Sequence, residues 1–191
     1  MLFLKRILTL LVVIILALVL VSFLLPRDVK VARSIEIDAP AAEVFAKVNG
    51  LKAGADWSPL LSRDPEVNLQ YLGPDTGVGA KLEWSSEHPQ VGIGKQEIVE
   101  SIENQNVVTA LDFGGQGTAL AAFNLVEADG KTTITWYLEA DMSISPIGRY
   151  MGLMMDKWVG GDYEVGLSNL IPKGAVSDSF VLSGIPLAAL I

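Results

Sequence analysis

The hydrophobic positions of this chain fall into three successive patterns: an unbroken apolar run, a long stretch of alternation, and a final stretch with helical spacing. Residues 7–25 read ILTLLVVIILALVLVSFLL, 19 positions without a charge. Wound as a helix, such a run spans roughly 28 Å, the thickness of a bilayer's hydrocarbon core. A secretory signal peptide and a buried core helix are the competing readings. The apolar part of a signal normally runs about 7–15 residues and ends in small residues, whereas this one closes on Phe23-Leu24-Leu25-Pro26. The pattern favours an uncleaved anchor. Lys5 and Arg6 precede it, and Arg27, Lys30 and Arg33 follow. Flanking charge alone does not choose an orientation, but so short an N-terminal tail stays easily in the cytoplasm, which places the remainder on the outer, extracytoplasmic side.

After Pro26-Arg27-Asp28, residues 29–37 (VKVARSIEI) alternate as a half-buried strand does. A helix is expected next, with Asp38 as its cap, Pro40 in the first turn, Glu43 at the positive end of the dipole, and Val44, Phe45 and Val48 buried. Asn49-Gly50 ends it, and a second short helical stretch at 51–55 leads into Asp56-Trp57-Ser58-Pro59. Alternation then resumes and predicts six strands, at 67–72, 80–85, 92–102, 107–113, 118–126 and 132–142. The turns between them carry glycine, proline, asparagine or aspartate, and Asp129-Gly130 is the clearest two-residue hairpin signal. Ser145-Pro146 opens a long helix, and the spacing of Ile147, Tyr150, Met151, Met154, Trp158 and Val165 predicts its buried face. Pro172 and Lys173-Gly174 stop it, leaving a mixed tail at 174–191 whose last stretch, SGIPLAALI, is apolar but too short to cross a membrane. The expected organisation is an anchor at 1–28, one α+β domain at 29–173 with the last helix laid across a curved antiparallel sheet, and the tail.

Composition narrows the chemistry. Half of the 191 residues are hydrophobic, and 14 basic residues against 22 acidic ones give a formal charge of −8. Beyond Arg6 the balance is 12 basic to 22 acidic residues, so neither nucleic acid nor an anionic headgroup layer is a natural partner of the domain surface. There is no cysteine and one histidine, His88. Thiolate chemistry, disulfides and His-rich metal centres are excluded, and no metal or cofactor is expected. His88 sits in Ser85-Ser86-Glu87-His88-Pro89, a polar turn without an orienting partner, and is read as solvated. Strand parity puts Glu97 and Glu100 on opposite faces and points Glu139 and Asp141 outward, so no carboxylate pair suited to acid–base work is expected. No catalytic residue is assigned.

The order of these elements, with RSIEIDAPAAEVFAKV, the Trp57-Ser58-Pro59 turn, GPDTGVGAKLEW, LDFGGQGTALAAFNL and SPIGRYMGLMMDKWVGGDYEVGL, resembles the START/Bet v 1-like SRPBCC superfamily. The resemblance is to its membrane-anchored polyketide cyclase/dehydrase-type members and covers residues 29–171. It implies a helix-grip fold around a cavity for hydrophobic or amphipathic ligands such as lipids, sterols, polyketides or aromatic compounds. It implies no particular reaction.

Trp57, Trp84, Phe113, Phe123, Trp136, Tyr150, Met151, Met154 and Trp158 are the expected lining, on the inner sheet face, its rim and the helix opposite. Arg149, near the helix start, is a candidate for an anionic ligand group at the cavity mouth; surface charge is its plainer reading. Large side chains at core spacing also simply fill cores. Three functions follow: a membrane-tethered binder of a hydrophobic or lipid-like small molecule, a cyclase- or aromatase-like enzyme, and a non-catalytic envelope interaction module. An open apolar pocket without convergent ionisable groups favours the first, buried carboxylates with shifted pKa values the second, and a filled interior the third.

Overall fold

The computed structural model describes residues 2–59, 63–142 and 145–171. The predicted tail and the Pro172 and Lys173-Gly174 stop lie outside them. Helix α1 (Leu2–Ser22) is followed by β1 (Asp28–Ile37), α2 (Ala41–Val48) and α3 (Gly54–Trp57). The meander then runs through β2 (Asn68–Leu72), β3 (Lys81–Ser85), β4 (Ile93–Ile102), β5 (Asn106–Asp112), β6 (Thr118–Ala128) and β7 (Lys131–Asp141) to α4 (Pro146–Leu170). A single 3₁₀ turn, Gly114–Gln116, joins β5 to β6.

The strands form one antiparallel sheet in the order β1-β7-β6-β5-β4-β3-β2, so every neighbour is a hairpin partner except β1, which returns to pair with β7. Alternation sets the faces. In β3, Leu82 and Trp84 are buried while Lys81, Glu83 and Ser85 are exposed. At the end of the sheet away from α1, Ile35, Ile98, Val107, Leu125 and Ile134 meet Val44, Phe45 and Val48 of α2 and Leu167 and Leu170 of α4. Each such side chain contributes about 1.5–3 kcal/mol by leaving water. Lys47 Nζ donates to the Leu170 carbonyl at 3.0 Å, so α2 caps the last turn of α4.

Three local expectations are corrected. Asp38 does not cap α2; the N-cap position is Pro40, and the Ala41 N–H donates instead to Glu127 Oε2 at 2.7 Å, a partner 86 residues away. Glu97 and Glu100 share the outer face, because the register of β4 against β5 shifts between Ile98 and Glu100 and leaves Val99 as an extra residue that resets the parity.

The third concerns α4. Ile147, Met151, Met154, Trp158 and Val165 point outward, and the buried face is Arg149, Gly160, Tyr163, Gly166, Leu167 and Leu170. Glycine is the reason. A Cβ on Gly152 would stand 2.7 Å from Val29 Cγ2, on Gly160 2.2 Å from the Arg33 guanidinium, and on Gly166 2.7 Å from the Trp136 ring. The helix therefore seats on its barest side, where the backbone comes closest to β1 and Trp136. Arg33 fixes it there, donating through Nε to Glu164 at 2.8 Å and through Nη1 to Asp156 at 2.9 Å. These two carboxylates hold the guanidinium pKa above its ordinary value, Asp156 most strongly.

Candidate functional site

The inner sheet face does not meet α4 along its whole length. Near the middle of the sheet a partly enclosed cavity of about 220 Å³ opens between them. Phe123 and Trp136 come from β6 and β7, where alternation turns them inward, and Trp84 from β3. Phe113 follows β5, and Trp57 ends α3. Tyr163 and Val159 close the space from α4. The rings form two sets, Trp84 with Phe113 at 6.2 Å, and Trp57, Phe123, Trp136 and Tyr163. Trp136 is stacked on Tyr163 with centroids 3.7 Å apart and planes 8° apart, and on Phe123 at 4.9 Å. Trp57 meets Trp136 edge-on at 5.3 Å and Phe123 at 5.5 Å. The orientation of Trp57 is fixed by donation from its Nε1 to the Lys47 carbonyl at 3.2 Å and by Asn169 Nδ2, which donates to the Trp57 carbonyl at 3.1 Å.

Gly94 has a specific part in this. A side chain there would run into the Trp84 indole, whose Cζ2 is 2.3 Å from the Cβ position. The bare backbone lets the ring lie flat across β4, while its Nε1 donates to the Val91 carbonyl at 3.2 Å.

Polar groups in the cavity are few and mostly neutral. Gln96 and Thr109 occupy inward positions on adjacent strands, diagonal to one another in the register, and both line the space. The Tyr163 phenol is buried, and that burial pushes its pKa far up, with the Asp162 charge adding to the effect. It stays protonated at any physiological pH. Asp162 lies at the lining, and both its oxygens are taken by Arg63, Nη1 donating at 3.0 Å and Nη2 at a shorter distance. The carboxylates whose pKa is lowered, Asp64 beside the Ser86 hydroxyl and Asp75 beside Lys52, are not among the described lining residues. Among the described lining residues Asp162 is the one charged side chain, and Arg63 neutralises it.

A larger groove, of about 780 Å³, lies on the opposite sheet face. It is open, and its charges already meet across neighbouring strands: Lys30 with Glu139, Lys81 with Glu97 and Lys95 with Asp112, at 2.9, 3.0 and 3.3 Å. The more sheltered aromatic cavity is the better candidate site.

The structure thus brings together Trp57, Trp84, Phe113, Phe123 and Trp136 and leaves the other four expected lining residues elsewhere. Met151, Met154 and Trp158 are on the outer side of α4, and Tyr150 donates its hydroxyl to the Leu18 carbonyl of α1 at 2.7 Å. Arg149 is not at the cavity mouth. It is 8% exposed, donates to the Ser22 carbonyl at 3.3 Å and covers the Phe23 ring at 5.2 Å. His88 occupies its turn, with Nδ1 accepting from the Gln90 N–H at 3.2 Å. Gln96, Thr109 and Tyr163 were the residues that sequence reasoning missed. For the first two a signal existed: each is a polar residue at an inward position of an otherwise apolar alternation.

An antiparallel sheet curved about a long C-terminal helix, with an aromatic cavity between them, defines the Bet v 1-like class of fold. The chain belongs to the polyketide cyclase / dehydrase and lipid transport family, whose sequence profile matches residues 28–173. Among solved structures it is similar to norcoclaurine synthase from Thalictrum flavum in complex with dopamine and hydroxybenzaldehyde, at 16% identity and a TM-score of 0.57, covering 78% of this chain and 90% of that one. It is also similar to protein Ms6760 from Mycobacterium smegmatis, at 15% identity and a TM-score of 0.55, covering 79% and 93%. A protein from Nitrosospira multiformis gives 18% identity and a TM-score of 0.56, covering 78% and 97%. Identities this low speak to the fold alone. The comparison with curated protein sequences gives no match. Family and fold together support a ligand-binding or cyclase domain.

Proposed function

We propose that this chain is a membrane-tethered binding domain for a small, ring-bearing apolar molecule that carries a neutral hydrogen-bonding group. The observation that carries the reading is the partly enclosed aromatic cavity with Gln96 and Thr109 in its wall and, among the described lining residues, one charged side chain, Asp162, already held by Arg63. Size refines the ligand class. Pockets for drug-sized ligands run about 300–1,000 Å³, while an apolar cavity of about 150 Å³ accepts benzene. At about 220 Å³ the space suits one substituted ring better than the acyl chains of a whole lipid. Binding rather than catalysis fits a wall whose one buried titratable group, Tyr163, is held neutral.

Tethering is the second half of the proposal. An 18-residue stretch within Phe3–Ser22 has a mean hydropathy of 2.8, and none of that stretch is buried by the rest of the chain. At 1.5 Å per residue the 20 residues of Phe3–Ser22 cover about 30 Å. The contacts of Arg149 and Tyr150 with carbonyls of the last turns of α1 support a helix that is kept, because a cleaved signal would leave both donors without these partners. With Lys5 and Arg6 retained inside, the domain lies on the outer side of the membrane.

Hydroxybenzaldehyde, one of the two compounds held in the norcoclaurine synthase complex, is a one-ring probe of the right size. Calorimetric titration of the full chain in bilayer discs should show saturable binding that hexadecanoate does not compete away. Ala121→Phe, which puts a ring into the cavity from β6, should abolish binding while circular dichroism stays native. Equal heats in wild type and Ala121→Phe would refute the cavity as the site.

A further inference from the structure

The outward face of α4 has no role in the cavity, yet it is apolar. Ile147, Met151, Met154 and Trp158 follow one another at steps of four, three and four residues, and all are between 46% and 72% exposed. They form a stripe about 16 Å long, diametrically opposite the glycine-bearing face that seats on the sheet. A water-soluble domain rarely carries such a stripe without a partner.

Its position says which partner. Tyr150, beside the stripe, donates to the carbonyl of Leu18, one helical turn inside the end of α1 and so about 6 Å down its axis. Arg149, on the sheet side of the same turn, donates to the Ser22 carbonyl. The Met142 N–H donates to the Arg27 carbonyl at 2.7 Å, so the chain entering α4 is tied to the chain leaving α1. The first turns of α4 are thereby held level with the last turn of α1.

If that turn lies at the edge of the hydrocarbon layer, α4 begins at the depth where interfacial amphipathic helices rest, about 5–10 Å into the headgroup and acyl boundary. Trp158 and Tyr150 are the residue types that favour this layer, and exposed Lys157 flanks the stripe within reach of lipid phosphates.

We infer that Ile147, Met151, Met154 and Trp158 rest in the surface layer of the bilayer, so that the domain lies against the membrane on the N-terminal half of α4 and does not hang from α1 alone. The occupant of the stripe is lipid. The inference rests on α1 spanning the bilayer, and the test separates the two. The native chain has no cysteine, so single substitutions can carry one environment-sensitive NBD fluorophore each. Val12→Cys reports on α1, Met151→Cys and Met154→Cys on the stripe, and Glu103→Cys on the exposed β4–β5 turn at the far end of the sheet.

The labelled full chains are reconstituted into phosphatidylcholine–phosphatidylglycerol vesicles, with and without lipids bearing a nitroxide near the headgroup or at the acyl terminus. Labels at 151 and 154 should be blue-shifted and quenched severalfold more by the shallow nitroxide than the label at 103. The label at 12 should be quenched most by the deep one. Quenching at 12 with none at 151 and 154 overturns the inference and leaves the span intact. The inference falls equally whether those two labels report water, a second copy of the chain or residues 172–191 folded over the stripe, since lipid-borne nitroxide reaches none of these. Absence of quenching at 12 overturns the span itself.

Discussion

Gly161→Ala and Gly166→Ala make the same chemical change five residues apart on α4, and they should act with opposite signs. A Cβ on Gly161 meets nothing within 4 Å. That substitution therefore contributes only the difference in helix propensity, about 0.8–1.0 kcal/mol in favour of alanine. On Gly166 the new carbon stands 2.7 Å from Trp136 Cζ3 and 3.3 Å from Pro59 Cδ. Carbon atoms settle at about 3.5–4.0 Å, so helix and indole must separate by about 1 Å. The indole cannot swing aside, because Tyr163 is stacked on it at 3.7 Å and Phe123 at 4.9 Å.

Overpacking of this kind costs about 1–3 kcal/mol, from which the same helix gain of about 1 kcal/mol is subtracted. Gly166→Ala should come out destabilised by up to about 2 kcal/mol. For chains of about 150–250 residues each kcal/mol moves Tm by roughly 2–4 °C. Thermal unfolding of the full chain in detergent, followed by near-ultraviolet circular dichroism, should place Gly161→Ala about 2–4 °C above wild type and Gly166→Ala up to about 8 °C below it. A Gly166→Ala protein as stabilised as Gly161→Ala would show that α4 does not rest on Trp136.

Gly160 extends the same reasoning to the Arg33 contact. With a Cβ 2.2 Å from Nη2, Gly160→Ala should displace the guanidinium from Glu164 or Asp156 and lower Tm. In an Arg33→Ala background the obstruction is gone, and the same change should stabilise by about 1 kcal/mol; additive effects in this double-mutant cycle would refute the contact. A third prediction concerns acid. The Ser86 hydroxyl, and next the Glu66 N–H, hold the Asp64 pKa below its ordinary 3.8. The unfolded chain therefore takes up this proton more readily than the native one. The stabilisation is complete above 3.8 and is lost as pH falls through the lower native value. The drop in Tm between about pH 5 and about pH 3 should be smaller in Asp64→Asn than in wild type, and equal drops would contradict the assignment.

Most of the sheet was legible in the sequence, for a physical reason. A strand with one wet face and one buried face must alternate; KLEWS in β3 does so without interruption, and β7 does so over most of its length. Predicted and observed strand ends differ by at most two residues. The failures occur where long-range packing replaces a local rule. Asp38 was the obvious cap, but Glu127 arrives from another hairpin. Parity failed at Glu100 because Val99 adds a residue that no side-chain pattern announces.

The helix face was lost because α4 is apolar on two opposite sides, and the bulkier side was chosen. What seats the helix is the absence of side chains at Gly152, Gly160 and Gly166, and bare positions carry no hydrophobic signal. Five of the nine expected lining residues line the cavity, and each lies on or next to the sheet or at the end of α3. The four that do not line it are all on α4.

The two outer strands of the sheet end the hydrogen-bonded ladder in different ways. β2 is five residues long, too short to template much of an intruding strand. β1 has ten residues, but α4 runs close along it, and the Ala32 carbonyl accepts from the Arg33 guanidinium at 2.9 Å. Its first residues also follow within six positions of α1. The lateral margins of the fold are therefore guarded, one by brevity and the other by a helix. Crowded among its own copies, the chain has little bare ribbon onto which another molecule could zip.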